Sequence, residues 1–568
     1  MDPSSRSPRA SHAGKWWTAA AILPGQLTIA FGMFGVVVAL PNIMTAFAAD
    51  VDAVQWVMTS YLIARVVPMP ALGWLSSALG NRNLYMLGVL GTTLSTMLCG
   101  LSWDMASLIV FRVIQGALGA QVMGLGMVML YEAFPPHQRG LAMGLFILVA
   151  SLGPTLGQLI GGYLVQEMSW RAIFFLAVPS GIVGTLLTLS RIPPDAPRGS
   201  KTLDVPGLCT MTVFLVTLLL ALSQGQRVGW DTAWIHSLFA LSGLFFGLFL
   251  MIERRVPHPV VHLQLYRNRH FVMASVVTFL YNAGFMGANF LLALMLQLVF
   301  DFTPVQSGLV LAPGAIVMGL IGFGSGRLAD QIEPRYLVVA GLACFALNMY
   351  YFASLSLLSS LGSIACLAVF QRGSFGMIFS ASDTAVMRTL PEPERSMGSG
   401  LHNMHRGIAM AFGVAFSSLL LEKRLAYHSL WYGEIHERFA PPVQESLAML
   451  QQLLKAAGET GQTAASKALA ALAGLMTEQA RIAAYQDCFL ILTAVFLLAL
   501  LPAWWTRTHT ASGRTAAPST APPPTPVAVL TLPAGEVWDE EDCPSRSALQ
   551  TLRLSNARAL TRAKEAHS

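Results

Sequence analysis

Long apolar segments recur along the whole chain, separated by short stretches of polar, basic, Pro and Gly residues. Most of these segments run for 18 residues or more, which is enough to cross about 30 Å of hydrocarbon as an α-helix. The pattern predicts an all-α membrane protein with about fourteen spans. The predicted spans lie near residues 18–40, 54–75, 84–101, 105–131, 140–165, 172–190, 204–223, 234–252, 271–300, 305–326, 336–357, 362–388, 397–421 and 487–506.

Two polar breaks divide the spans into groups. Residues 191–201 (RIPPDAPRGSK) follow the first six spans, and a basic stretch at 253–270 follows two more. Six further spans complete the pattern, which predicts two six-helix bundles joined by an extra helical pair. The predicted organisation is a cytoplasmic N-terminal tail (1–17), a first bundle (18–190), a linker with two additional spans (191–270) and a second bundle (271–506).

Two long polar segments lie near the end of the chain. Residues 422–486, before the last span, are rich in Ala, Leu, Gln, Lys and Glu, which favours helical hairpins outside the membrane. Residues 507–568 contain the low-complexity run TAAPSTAPPPTP followed by acidic residues, a composition typical of disorder. We therefore expect an ordered periplasmic or extracellular insert within the second bundle and a disordered cytoplasmic tail.

The composition supports this picture and orients it. Of the 568 residues, 54% are hydrophobic and 11% are charged, and the mean hydropathy is +0.58. A soluble domain carries about 25% charged residues, so most of this chain cannot face water. Arg and Lys concentrate in the short segments that lie inside if the N-terminus is cytoplasmic, whereas few, among them Arg171 and Arg227, lie in short outer loops. We expect a multi-pass protein of the cell (inner) membrane with both termini in the cytoplasm. The net charge of +6 then reflects topology, not a nucleic-acid partner.

The sequence carries no pattern typical of an enzyme. The six cysteines are scattered without CxxC or CxxH spacing, so neither a metal site nor a disulfide framework is indicated. No HExxH, Walker motif, Gly-rich nucleotide loop or nucleophile–base–acid set occurs. We therefore expect no enzymatic activity, no cofactor, no metal and no ATP-driven cycle within this chain.

The most informative short segment is residues 150–164 (ASLGPTLGQLIGGYL). Gly153, Gly157 and Gly161 recur every four residues and so share one face of the predicted fifth span. In a membrane, such a face lets a neighbouring backbone approach closely, and Pro154 bends the helix beside it. The order Gly-Pro-x-x-Gly followed by Gly161-Gly162 resembles the antiporter signature of major facilitator drug exporters. The alternative is that this face serves helix packing alone.

Further segments strengthen the resemblance. The chain resembles the fourteen-helix drug:proton antiporters of the EmrB/QacA type, within the major facilitator superfamily, over about residues 20–506. The segments that carry it are 38–43 (VALPNI), 55–61 (QWVMTSY), 112–119 (RVIQGALG), 170–175 (WRAIFF), Gln297, 403–406 (NMHR) and 479–487 (QARIAAYQD).

The resemblance implies the major facilitator fold and a function. That function is proton-coupled efflux of small molecules, here amphipathic or anionic organic compounds, across the inner membrane. The partners are then the substrate, protons and the lipid bilayer. A periplasmic adaptor protein leading to an outer-membrane channel would dock on residues 422–486, which otherwise form a self-contained lid. The alternative function is transport of a specific metabolite or siderophore-like compound with non-standard or no proton coupling.

Two loops resemble the latch loop Gly-x-Leu-Ala-Asp-Arg-x-Gly-Arg of that superfamily, which holds the cytoplasmic ends of the bundles together. The first runs from Gly73 to Arg82, with Ser77 where the Asp is expected. The second begins at Gly326 and keeps Asp330 and Arg335 at their expected places, with Gln331 where an Arg is usual. We expect both loops to contribute to a two-state latch. The alternative is that each charge pair only anchors a short turn.

Arg112 is the strongest single functional candidate. It lies about a third of the way into an apolar helix, where a charge costs at least ~2.5–3.5 kcal/mol unless it meets a partner or a polar cavity. Gln115 shares its helix face. The resemblance implies a role for Arg112 in proton coupling or gating, and we assign Gln115, Gln297 and Asn403 to the substrate cavity. The alternative is a hydrogen-bonded structural arginine.

One family feature is missing. Exporters of this type usually carry an Asp nine residues before the Pro of Ala-Leu-Pro, but Gly32 occupies that position. We hypothesise instead that Asp383, in the predicted twelfth span, carries the exchanged proton, with Arg112 and Arg65 tuning it. The alternatives are that Asp383 is solvated near the cytoplasmic end and that Arg65 binds an anionic group of a substrate.

Three further ionisable residues crowd the predicted thirteenth span. They are His402, His405 and Arg406. A histidine near its ordinary pKa relays protons readily, so we include His402 and Arg406 in the proton-coupling set. The alternative is that the two histidines only make hydrogen bonds.

Overall fold

The computed structural model describes residues 12–194, 204–257, 259–356, 359–438 and 440–506. Within these ranges the regular structure is helical, and no strand occurs. The expected disordered tail (507–568), the start of the N-terminal tail and most of the break at 191–201 lie outside the described residues.

The described helices follow the predicted spans in order. The first half contains α1 (His12–Phe47), α2 (Val51–Val66), α3 (Leu72–Leu79), α4 (Asn81–Gly100), α5 (Met105–Ala133), α6 (Arg139–Glu167), α7 (Ala172–Leu176) and α8 (Val178–Arg191). An additional pair follows, α9 (Val205–Val228) and α10 (Ala233–Glu253). The second half contains α11 (Arg269–Leu298), α12 (Pro304–Leu328), α13 (Pro334–Ala353), α14 (Leu361–Thr389), α15 (Arg395–Arg438), α16 (Ala440–Ala456) and α17 (Gly461–Trp505).

Twelve helices of the described chain are long and apolar enough to cross a membrane. The predicted second and third spans, α2 and α4, are not among them, since α2 has only 16 residues and α4 begins with Asn81, Arg82 and Asn83. The fold class is confirmed, and the count of about fourteen spans stays a prediction.

Two predicted spans are interrupted. The second ends as a helix at Val66, because Pro68 and Pro70 remove backbone donors from the next turn, and α3 begins only at Leu72. The sixth breaks at Ala177, between α7 and α8, beside Pro179. The spans predicted as single helices at 54–75 and 172–190 are therefore each a long and a short helix.

The insert at 422–486 is built from extensions of the neighbouring spans. Helix α15 continues past the predicted span end to Arg438, and α17 begins at Gly461, far ahead of the predicted last span. Helix α16 packs against α17 and α15. The first and last parts of the insert are thus continuous with α15 and α17, and no hinge separates the insert from these helices.

Each half is a bundle of packed helices. In the first half α1 packs against α6 and α8, and α5 packs against α2 and α4. In the second half α14 packs against α12 and α13, while α15 packs against α11 and α17. The additional helices α9 and α10 pack on each other, and α9 also contacts α2 and α15. The pair therefore lies along a seam between the two bundles.

The bundles meet at one end, which we call the latch face. There α6 crosses α12 so closely that a Cβ on Gly140 would overlap the carbonyl oxygen of Gly326. Likewise, α3 meets the start of α15, where a Cβ on Gly73 would lie 2.6 Å from Cβ of Met397. We call the opposite end, which carries α16, the insert face. Small residues at these crossings let the two bundles close on the latch face.

Candidate functional site

Arg112 is fully buried at the junction of α1, α2 and α5. Its Nε donates to the carbonyl oxygen of Val57 (2.9 Å), and its Nη1 donates to the carbonyl oxygen of Gly32 (2.7 Å) and to Oε1 of Gln115 (2.7 Å). The guanidinium carbon also lies 4.2 Å from the ring centre of Tyr61. Neutral acceptors and a ring face therefore stabilise this charge inside the membrane, with no carboxylate among its described partners.

The position of the missing span-one acid is next to the same contacts. A Cβ on Gly32 would lie 2.6 Å from Nε2 of Gln115, whose amide also donates to Oγ1 of Thr96 (2.6 Å). The Gln115 amide thus occupies the space that a carboxylate at position 32 would need beside Arg112. The first bundle holds its central arginine without a carboxylate partner among the described residues.

The second bundle contains a buried ionic cluster of Asp383, His402 and Arg406. His402 Nε2 lies 2.9 Å from Oδ1 of Asp383, and Nη2 of Arg406 donates to the same oxygen. Arg406 Nη1 donates to Oδ1 of Asn403 (3.3 Å), and its guanidinium carbon lies 4.0 Å from the ring centre of Phe379. All three cluster side chains are at most 2% exposed. Burial at this depth requires the pairing, because an isolated charge there is costly.

This geometry corrects the expected partners of Asp383. Arg406 and His402 contact the carboxylate, whereas the described hydrogen bonds of Arg112 go to acceptors in the first bundle. Arg65 contacts the sulfur atoms of Met33 (3.0 Å) and Met123. Neither Arg112 nor Arg65 tunes Asp383 by direct contact. The physical reason is that α14 packs most extensively against α12 and α13 and meets the first bundle through α6, whereas Arg65 and Arg112 lie on α2 and α5.

The position of Asp383 contradicts the alternative that this residue is solvated near the cytoplasmic end of its span. It is 1% exposed and six residues before the end of α14, at about 9 Å from the helix terminus. His405 takes no part in the cluster hydrogen bonds, since its Nε2 lies 2.9 Å from the hydroxyl oxygen of Tyr266.

The glycine face of α6 packs against α1. A Cβ on Gly153 would overlap Cβ of Ala30, and one on Gly157 would lie 3.3 Å from Cδ1 of Phe31. Gly161 faces the Cα of Gly35 at 3.6 Å by the same measure. Pro154 lies inside the continuous helix beside this face, and Gly162 has room for a methyl group, with Val38 at 3.7 Å. Packing between α1 and α6 is therefore the direct structural role of the motif.

The latch loop of the second half reaches across to the first. The carboxylate of Asp330 accepts hydrogen bonds from the backbone N–H groups of Gly140 (2.6 Å) and Leu141 (2.9 Å) at the start of α6, and Arg388 lies 3.9 Å away. A carboxylate at a helix N-terminus is favourable because the dipole and free N–H groups point at it. Burial raises the pKa of Asp330 from its ordinary value, while the two N–H donors and Arg388 oppose that rise.

The two expected latch arginines each have an acceptor in their own half. Arg335 pairs with Glu333 (2.5 Å) and with the hydroxyl of Tyr336 (2.8 Å), both beside it in the chain. Arg82 donates to the carbonyl oxygen of Leu189 (2.8 Å) within the first half. A bridge between the bundles through either arginine stays a prediction. Gly73 and Gly326 do lie at bundle crossings.

A second ion pair joins the two halves, and the sequence did not predict it. Arg395, at the start of α15, lies 3.1 Å from the carboxylate of Glu132 near the end of α5. Both residues flank predicted spans, where the sequence pattern shows charge but does not show which loop ends meet.

The three expected cavity residues are not in mutual contact among the described residues. Gln115 is hydrogen-bonded within the first half, and Asn403 bonds to Ser399 and Arg406 in the second. Gln297 lies in the last turn of α11 at the insert face. A cavity shared by these three residues stays a prediction. Within the described ranges, no group of three or more His, Cys, Asp or Glu side chains is placed to hold a metal ion.

Arg372 is a membrane-embedded arginine that the pattern analysis missed. It lies near the middle of α14, and its Nη2 donates to Oδ1 of Asn289 on α11 (3.1 Å). The sequence does indicate this residue, since a single Arg interrupts the apolar run 364–378 (IACLAVFQRGSFGMI).

Known proteins resemble this chain in sequence and in fold. The fatty acid resistance protein FarB of Neisseria gonorrhoeae is 27% identical over 470 residues, covering 82% of this chain and 91% of FarB. The multidrug export protein EmrB of Escherichia coli K12 is 26% identical over 473 residues, covering 83% of this chain and 91% of EmrB. The solved structure of the human organic anion transporter MFSD10 (TETRAN) has a TM-score of 0.56 at 15% identity, covering 86% of this chain and 99% of that one.

The family follows from the extent of these matches. The likeness to MFSD10 concerns the fold alone, because the sequence identity is low. The sequence relatives match over most of their length, which confirms the resemblance to the EmrB type of exporter. The sequence model of the Major Facilitator Superfamily matches residues 22–414, and the chain belongs to that superfamily.

Proposed function

We propose that this protein is a proton-coupled multidrug efflux transporter that exports amphipathic or anionic organic compounds across the inner membrane. The observation that carries the proposal is the fully buried cluster of Asp383, His402 and Arg406 between two membrane helices. A proton-driven exchanger needs a group that binds and releases a proton within the membrane. The names of EmrB and FarB support export of amphipathic compounds.

The cluster acts as one titrating unit in this proposal. One oxygen of Asp383 faces both His402 and Arg406, so a proton added to the carboxylate or to the imidazole changes the attraction to the arginine. The two apparent protonation steps then belong to the unit, not to one residue. Protonation favours one orientation of the bundles, and substrate binding with deprotonation favours the other.

Arg112 has a gating role in the proposal. Its hydrogen bonds join α1, α2 and α5 through the backbone carbonyls of Gly32 and Val57. A shift between α1 and α5 must therefore break or remake a charge-assisted bond. The glycine face of α6 lets α1 slide against it, since small residues there present few side-chain obstacles.

The latch face is cytoplasmic in this proposal, and both termini lie in the cytoplasm. The positive-inside distribution of Arg and Lys supports this orientation. The insert at 422–486 then lies outside the inner membrane. Exposed apolar side chains on it, including Leu430, Met449 and Leu453, support docking of a periplasmic adaptor protein that leads to an outer-membrane channel.

Deletion of residues 440–475 tests the docking role. Export from intact cells is expected to fall, because substrate is no longer passed across the outer membrane, while flux in proteoliposomes is expected to persist. Full retention of export in intact cells would show that the insert is a self-contained lid or a dispensable element.

The central test is flux of a compound panel in proteoliposomes under an imposed pH gradient. Wild-type protein is expected to move amphipathic compounds against their gradient, and Asp383→Asn is expected to lose gradient-driven flux while folded molecules keep substrate binding and exchange. Asp487→Asn is the matched control, since Asp487 also faces a histidine and an arginine but is 31% exposed at the insert face. Unchanged pH dependence in Asp383→Asn would contradict the coupling role.

The second candidate function rests on Gly32. Gly32 stands where exporters of this type usually carry an acid, and the Gln115 amide lies beside Arg112 there, which supports other coupling, as in a transporter of a specific metabolite or siderophore-like compound. Flux of a single compound class without dependence on the pH gradient is the outcome that supports this alternative.

A further inference from the structure

Arg372 places a charge deep inside the second bundle. It lies eleven residues after the start of α14 at the insert face, which corresponds to about 16 Å along the helix. An arginine at this depth costs at least ~2.5–3.5 kcal/mol unless partners or a polar cavity offset the cost. A membrane-embedded arginine therefore needs an explanation from its surroundings.

The described surroundings offer Arg372 little compensation. Its Nη2 donates to Oδ1 of Asn289 at 3.1 Å, and its Nε is buried without a hydrogen-bond partner. Among the described residues no Asp or Glu pairs with it, in contrast to Arg406, which pairs with Asp383. A guanidinium has five N–H donors in a planar fork, so most of its bonding capacity is open.

Arg372 lies near the contact between the two bundles, on the side toward the insert face. Helix α12 contacts α6 from Gly326 to Gly319, which faces Ser151. Five residues further toward the insert face, Gly314 instead faces the stem of Arg372 within its own bundle, 2.6 Å from Cδ to a Cβ built at that glycine. The arginine thus lies just beyond the last of these glycine contacts, about 7 Å along α12.

The first bundle has a similar feature. Arg65 immediately precedes Val66, where α2 packs against Gly407 of α15, and its described contacts are two methionine sulfurs. Arg65 and Arg372, one in each bundle, therefore both lie near a crossing between the bundles without an acidic partner among the described residues. Two such charges repel a cationic substrate and attract an anionic one.

We propose that Arg372 and Asn289 bind the anionic head group of the transported compound, with a carboxylate as the preferred chemistry. This proposal rests on the transport function proposed above and narrows its substrate class to anionic amphipaths. Arg372 supplies two parallel N–H donors to the two carboxylate oxygens. Asn289 holds the guanidinium in place, and its own Nδ2 is fixed by donation to the carbonyl oxygen of Phe285 (2.8 Å).

The test measures binding of radiolabelled dodecanoate to the full-length protein in nanodiscs, with dodecanol as the uncharged comparison. Wild-type protein is expected to bind dodecanoate in preference to dodecanol. Arg372→Gln is expected to weaken dodecanoate binding about tenfold or more, since a hydrogen bond to a charged group is lost. Arg372→Lys is expected to weaken it less, because the charge remains and the fork geometry does not. Asn289→Ala is expected to weaken it about threefold.

A matched control removes a different arginine. Arg424→Gln, at the exposed pair with Asp487, is expected to leave dodecanoate binding unchanged. Dodecanol binding is expected to be the same in wild type and Arg372→Gln. If Arg372→Gln does not fold, Arg372→Lys and Asn289→Ala carry the test, with folding checked by thermal unfolding.

The outcomes separate this proposal from the transport function. Dodecanoate affinity within twofold of wild type in the folded Arg372 variants overturns the proposal, even if pH-driven flux of other compounds persists. Equal wild-type affinity for dodecanoate and dodecanol also overturns it. Conversely, loss of dodecanoate binding in Arg372→Gln supports the anion site even if no compound moves under a pH gradient, in which case only the transport function fails.

Discussion

The ion pair between Asp383 and Arg406 offers a double-variant cycle that separates stability from coupling. The single variants are Asp383→Asn and Arg406→Gln, and the double variant carries both. Each single change leaves one buried charge without its oppositely charged partner, and the neighbours that stay, among them His402 and Asn403, do not replace that charge. The double change removes both charges and keeps side chains of similar size.

The expected energies follow from burial. Removing one member of a buried ion pair costs about 3–5 kcal/mol, because the remaining charge stays desolvated. Asp383 and Arg406 are 1% and 2% exposed, so this regime applies. We expect the double variant to lose much less than the sum of the two single losses, with a coupling free energy of about 3 kcal/mol. A coupling of that size is more than a hundredfold in the ratio of folded to unfolded protein.

The assay combines the free energy of unfolding in mixed detergent micelles with pH-gradient-driven flux in proteoliposomes. We expect the double variant to regain stability but not gradient-driven flux, because the carboxylate that exchanges the proton is gone. The Asp487→Asn control is expected to change stability by less than about 1 kcal/mol, since that carboxylate is partly solvated. Additive losses in the double variant would refute the ion-pair reasoning, and restored gradient-driven flux would refute the coupling role.

Three further predictions concern the helix contacts. Gly153→Ala is expected to destabilise the protein by about 1–3 kcal/mol in thermal unfolding, because a methyl group there overlaps α1, whereas Gly162→Ala is expected to have little effect; equal losses would contradict the packing role of the glycine face. Asp330→Ala is expected to lower the free energy needed to open the latch face by about 1–3 kcal/mol, because two hydrogen bonds to backbone N–H groups are lost. Cysteine labelling at that face is then faster, whereas Glu333→Ala leaves it unchanged. Unchanged labelling in both variants would contradict the bridging role of the carboxylate. Arg112→Lys is expected to cut flux at least tenfold, since an ammonium cannot reach acceptors on three helices at once; wild-type flux would show that charge alone suffices.

Much of the fold was predictable from local pattern. Span length and order follow from hydropathy, because each apolar segment must satisfy its own backbone hydrogen bonds in lipid, and a helix is the solution available to a single segment. The four-residue spacing of Gly153, Gly157 and Gly161 predicted one shared face, and the structure places α1 against that face. Asp330 was expected as a latch residue because the loop that begins at Gly326 resembles the latch loop of the superfamily.

The interrupted spans show where local pattern was not enough. Residues 54–75 are mostly apolar, so hydropathy alone joins α2 and α3, although Pro68 and Pro70 separate them. The prolines were visible, but their effect depends on whether neighbouring helices restore the lost hydrogen bonds, as happens around Pro154 in continuous α6.

What the sequence determined by itself was therefore the class of molecule, the order of its helices and the presence of charges inside them. Only the tertiary structure decided the partners of those charges: Arg406 and not Arg112 for Asp383, backbone carbonyls for Arg112, and Asn289 for Arg372. The physical reason is that some of these properties are local to one segment and others depend on segments that are distant in the chain. Hydropathy and helical period are properties of a continuous segment, whereas a side-chain contact between helices depends on which helices pack together, how each is rotated and how far each is displaced along its axis.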